Sequence, residues 1–179
     1  MKALLVLAHW IDVLCDRFAG FAKWAVLAAC LISAANAVVR YGFNFSSNAF
    51  LEIQWYLFAA CVMFGAAQVM PLNEHVRVDI VYTLYPTRVK VLVDLLGLLL
   101  FLLPVTLLIM YMSWPLVVGQ YVSGERSSNA GGLIRWPVGL TIPLGMALLS
   151  LQAVSEIIKR VGWLMHVYEM DTHYERPLQ

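Results

Sequence analysis

Charge is scarce in this sequence of 179 residues: Asp, Glu, Lys and Arg make up 13% of it, against 61% apolar residues. Twelve basic side chains nearly balance eleven acidic ones. That leaves neither the basic footprint that nucleic acid requires nor an acidic tail. Cysteine is scarcer still. Cys15, Cys30 and Cys61 are odd in number and form no C-x-x-C pair, so they read as small packing hydrophobes. The four histidines, His9, His75, His166 and His173, all lie outside the long apolar runs, which excludes a bis-histidine haem bundle. No Ser/His/Asp set, Walker loop or H-E-x-x-H is present. The reading is therefore of a chain with no catalytic residue, no cofactor and no metal, and not of an enzyme. The opening stretch MKALLVLAHWIDVLCDRF carries Asp12 and Asp16 after its apolar run and no A-x-A pattern, unlike a cleaved signal peptide.

What the sequence has in plenty is apolar length, with a mean hydropathy of +0.76. A helix crosses the hydrocarbon core with about 20 apolar residues, and residues 21–39, 50–70, 91–118 and 136–161 each meet that requirement. The expected fold is an all-α integral membrane protein, with four transmembrane helices in one domain over 1–162 and a cytoplasmic tail at 163–179. The third run, at roughly 1.5 Å per residue, makes about 42 Å of helix and must tilt, kink or project. Pro104 is the expected kink, and Pro143 plays the same part in the fourth run. Upstream of the first run, Leu4, Ala8, Ile11, Cys15, Phe18 and Ala22 recur at intervals of three and four, with His9, Asp12 and Asp16 on the opposite face. This pattern predicts an N-terminal amphipathic extension. Nine of the twelve Lys and Arg fall on the side of the termini, and only Arg40, Arg126 and Arg135 on the other. By the positive-inside rule both termini are cytoplasmic.

None of the runs has an ionisable residue near its middle, where a solitary transporter or proton pump would need one. Glu52 lies near the outer end of the second run, Asp94 near the inner start of the third and Glu156 near the inner end of the fourth. Asp94 has Lys90 four residues away, and Glu156 has Lys159 and Arg160 three and four away, so local pairing accounts for both. Glu52 has no basic neighbour within a helical turn, and Arg40, across the short outer loop, is the nearest candidate. In the first run Ala25, Ala29, Ser33 and Ala37 form a small-xxx-small stripe that admits another helix closely. The stripe, with Glu52 and Trp55, is the candidate partner-subunit interface.

The stretches LEIQWYLFAACVMFGAAQVMPLNEHVRVDIVYTLYP and GERSSNAGGLIRWPVGLTIPLGMALLSLQAVSEIIKR resemble the small membrane subunit, the DctQ-like family, of tripartite ATP-independent periplasmic (TRAP) transporters. The marks are Glu52, Trp55 and Phe58, then Gly65-Ala66-Ala67, then His75-Val76-Arg77-Val78-Asp79, and then Gly131-Gly132-Leu133 before Arg135-Trp136-Pro137. Family members often carry a basic residue shortly after the Trp-Pro, where this chain has Gly139. The resemblance implies an inner-membrane scaffold subunit that supports a large multispan permease subunit and helps form the docking surface for a periplasmic substrate-binding protein. It also implies sodium-driven import of organic anions such as carboxylates.

Between the second and third runs, residues 74–85 are expected to form a short interfacial helix ended by Pro86. His75 and Asp79 at i and i+4 are too few to hold a metal. The expected role of His75, Arg77, Asp79, Arg88 and Lys90 is contact with anionic membrane lipids or with the large subunit. On the outer side Arg40, Glu125, Arg126, Arg135 and Trp136 are the candidate periplasmic contact surface. The alternative to a scaffold subunit is a self-sufficient oligomeric small transporter or channel.

Overall fold

The computed structural model describes residues 1–44, 47–71 and 85–169. Four helices account for most of these residues: α1 (Lys2–Phe43), α2 (Asn48–Val69), α3 (Thr87–Ser123) and α4 (Trp136–Leu164). Each is long and apolar enough to cross a bilayer, and no strand occurs among the described residues. The helix ends follow local chemistry. Asn44 closes α1 in the left-handed conformation at φ 52°, which asparagine tolerates at a helix C-terminus. The Ser47 hydroxyl accepts from the Ala49 N–H at 3.3 Å and caps α2. Gly124, at φ 62°, closes α3, and Pro137 sits in the first turn of α4, where its missing N–H has no helical partner to lose.

The third span does not break at Pro104. Leu98–Leu102 widens into a π turn just ahead of it, with the Leu103 N–H reaching back to the Leu98 carbonyl. A proline ring collides with the carbonyl four residues earlier and donates no hydrogen bond. The wide turn absorbs both defects, and the helix runs on to Ser123. The Thr106 hydroxyl donates to the Leu102 carbonyl at 2.9 Å beside this turn and lies 2.8 Å from the Ser150 hydroxyl of α4.

α4 is the hub. It packs on α1, α2 and α3, while α1 and α2 pair with each other and α3 leans on α4. Small residues set these distances: a Cβ on Gly145 would lie 2.7 Å from the Met63 Cβ, so α4 and α2 cross at close range there. The core joins Ile11, Cys15 and Ala22 of α1 to Ala60, Phe64 and Ala67 of α2 and Leu148 of α4.

One expectation from the wheel of α1 needs correction. Asp12 does not lie on a solvent face; it accepts hydrogen bonds from Gln152 and Ser155 of α4. Because α2 and α4 both flank α1, its buried face is wider than a single apolar stripe. The expected interfacial helix lies outside the described residues except for Tyr85, which is exposed. His75, Arg77 and Asp79 fall in that stretch.

Candidate functional site

The densest polar contacts lie at the two ends of the helices. At the end away from the termini, residues 124–135 join α3 to α4 as a narrow hairpin. Ser127 N–H donates to the Leu133 carbonyl at 2.9 Å and Arg135 N–H to the Glu125 carbonyl at 3.0 Å, with Arg126 bridged to Ile134. The turn needs its glycines. Gly131 has φ 74°, a left-handed conformation that glycine adopts without penalty. A Cβ on Gly132 would lie 2.6 Å from that of Ser127.

One face of α2 fastens this hairpin. Asn48, Glu52 and Tyr56, spaced four residues apart, stack along one side of the helix. Asn48 Nδ2 donates to the Ala130 carbonyl at 3.3 Å, and the Tyr56 hydroxyl donates to the Ile134 carbonyl at 3.1 Å. Between them Glu52, only 3% exposed, accepts from Asn129 Nδ2 at 2.8 Å and from the Leu133 N–H at 2.7 Å. Glu52 is thus held by the hairpin and not by Arg40, the partner expected from sequence proximity. Its carboxylate meets neutral donors, one of them a backbone N–H exposed by the glycine turn, and such charge-assisted bonds are the stronger class. Asn48, Tyr56 and Asn129 were not singled out from the sequence, although the four-residue spacing from Asn48 to Tyr56 is visible there.

The remaining outer candidates decorate the clasp. Arg135 pairs with Glu125 at 2.6 Å on the surface. Glu125 raises the Arg135 guanidinium pKa above its ordinary value, first through the hydrogen bond and then through its charge. Arg40 and Arg126 are exposed, and Trp136 packs edge-on against Tyr121, with centroids 5.7 Å apart. Gly139 is buried against the Gln120 side chain, which occupies the space a longer residue there would need.

At the end that holds the termini, charge is handled differently. Asp12 of α1 accepts from Gln152 Nε2 at 3.0 Å and the Ser155 hydroxyl at 2.7 Å, and pairs with Lys159 at 2.8 Å. Lys159 also reaches Glu156 at 3.0 Å; Glu156 pairs with Arg160, and Arg160 lies 3.6 Å from Asp94 of α3. The local pairs expected on α4 are present, but they are links in a brace across three helices. Asp12, Gln152 and Ser155 could not be assigned to it without knowing that α1 and α4 are neighbours.

Of the proposed partner stripe, Ala25 is buried within the chain and Ala29 half-buried, while Ser33 and Ala37 are exposed. Trp55 is exposed at 67%. In the first turn of α3 Arg88 is exposed and Lys90 half-buried. Among the described residues no group of three or more His, Cys, Asp or Glu is placed to hold a metal ion.

The family model of the tripartite ATP-independent periplasmic transporters, DctQ component, matches residues 29–162. The match takes in the α2 clasp, the hairpin and the α4 side of the brace, and leaves the first 28 residues of the chain outside it. No curated protein and no solved structure matches the chain.

Proposed function

We propose a role for this chain from a premise that the match supplies: it belongs to the DctQ component family of the tripartite ATP-independent periplasmic transporters. On our reading it is the small scaffold subunit, set in the inner membrane of a bacterium or archaeon with both termini inside. It buttresses a large multispan permease subunit, and its 124–135 hairpin contributes to the surface on which a soluble periplasmic binding protein docks. The assembled system imports organic anions such as carboxylates on a sodium gradient, with the substrate and sodium sites in the large subunit.

The observation that carries this reading is the clasp. The buried carboxylate of α2 is satisfied by a surface hairpin, an arrangement suited to presenting a rigid loop and unsuited to passing a solute. Among the described residues the other buried charges are likewise consumed in bracing helices, and the mid-span hydroxyls of Thr106 and Ser150 face each other between α3 and α4. Purification through a tag on this chain, co-expressed with its large subunit, should recover both in equal amounts. Recovery of this chain as a stable oligomer by itself, with substrate uptake in vesicles that contain nothing else, would overturn the proposal in favour of a self-sufficient transporter.

A further inference from the structure

α1 is too long for the membrane that its neighbour crosses. α2 has 22 residues, about 33 Å of helix, so it spans a hydrocarbon core of about 30 Å only if it tilts by no more than roughly 25°. α1 has 42 residues, about 63 Å. The Gln68 amide donates to Asp16 at 3.2 Å, which sets Asp16 level with the last turn of α2, so residues 2–15 of α1 run on for about 21 Å beyond that turn at the terminal end, more than one headgroup layer covers. Its packing against α4 through Ala8, Ile11 and Cys15 and the Asp12–Lys159 pair hold this surplus in line with the bundle.

An exposed side of the same helix carries Leu7, Trp10, Leu14, Arg17, Phe21 and Trp24, at alternating intervals of three and four, which keeps them on one seam. Trp10 is 64% exposed and Trp24 72%. Arg17 is exposed and has no hydrogen bond or ion pair with another described residue. The seam passes without a break from the hydrocarbon zone into the surplus. Lipid tails reach only its upper part, and a soluble protein only its lower part. A second copy of α1, related by a two-fold axis along the membrane normal, would set Arg17 against Arg17, a like-charge clash on the seam.

We propose that this seam docks a membrane-spanning helix of the large partner subunit, one that continues out of the bilayer beside α1 and carries a carboxylate level with Arg17. The inference rests on the reading of this chain as a permease-supporting subunit, and it assigns the contact to a part of α1 that precedes the family match. The test is a photo-crosslinking amino acid at Trp10 in the co-expressed, full-length complex, with the same probe at exposed Phe101 of α3 as a reference. The expected result is an adduct between position 10 and the large subunit. Arg17→Glu should cut recovery of the large subunit about tenfold, with Arg17→Lys retaining it. An adduct between two copies of this chain, or none to any protein from position 10, overturns the inference. So does Arg17→Glu with full recovery. If the unaltered chain recovers no large subunit, the subunit reading fails first and this inference with it; recovery without the position-10 adduct sinks the inference alone.

Discussion

The two ends of this bundle are fastened by opposite means. At the hairpin end one carboxylate, Glu52, is caught by a side-chain amide and a backbone N–H of a loop; at the terminal end, acids and bases on three helices interlock. The loop spans 124–135 and contributes no residue to the buried core, so its shape depends on a few directional bonds. The helices at the other end already share apolar contacts such as Met70, Leu98 and Ala153, and the ion pairs set which helix surfaces meet. The difference teaches that polar groups at the rim of a membrane bundle serve two ends: the clasp positions a surface, and the brace fixes an assembly.

That contrast predicts separable failures. The largest is at the brace. Arg160→Gln takes one of its two basic partners from the buried Glu156, leaving Lys159, and removes the link to Asp94; loss of one member of a buried pair costs up to about 3–5 kcal/mol. The purified subunit should melt at clearly lower temperature, while a spin label in the hairpin keeps its wild-type spectrum. An unchanged melting curve would mean the brace is incidental. Next comes Gly145→Ala, whose methyl group would meet both the Cβ and the backbone carbonyl of Met63. Overpacking of this kind costs about 1–3 kcal/mol, read as a shifted thermal transition, again with the hairpin spectrum intact.

Gly132→Ala is the mirror case. The added methyl collides with Ser127 and two loop carbonyls, so the hairpin label should become mobile while the bundle melts nearly as before. The smallest effect is expected at Glu125→Gln. The Glu125–Arg135 pair is short but lies half in solvent, and exposed pairs of this kind contribute little. Neither the melting temperature nor the hairpin spectrum should move, and a shift in either would show that the surface pair supports the clasp.

Much of this was legible in the sequence because hydrophobic length is a one-dimensional property. The four spans, the odd placement of Glu52 near a span end and the Gly131-Gly132 turn all stand out from their neighbours along the chain. The partners of those residues do not. Glu52 meets Leu133 and Asn129 some eighty positions away, and the Arg40 expectation failed because sequence proximity is a poor guide where a distant loop folds back over a helix end. Asp12 was misplaced for a related reason: a helical wheel assumes one buried face, and α1 has two neighbours. The π turn ahead of Pro104 was also beyond a reading by proline alone, which marks a defect in the ladder without saying how the helix accommodates it.

The most direct test of the clasp as a positioning device is equilibrium binding of the soluble binding protein to the purified two-subunit complex, wild type against Glu52→Ala and Glu52→Gln. Alanine removes both acceptors. Glutamine keeps one oxygen for the Leu133 N–H, and Asn129 can turn its amide to accept from the new NH2. The account predicts affinity at least about tenfold weaker for Glu52→Ala, an intermediate value for Glu52→Gln, and equal recovery of the large subunit in all three. Wild-type affinity in the Glu52→Ala complex would contradict it.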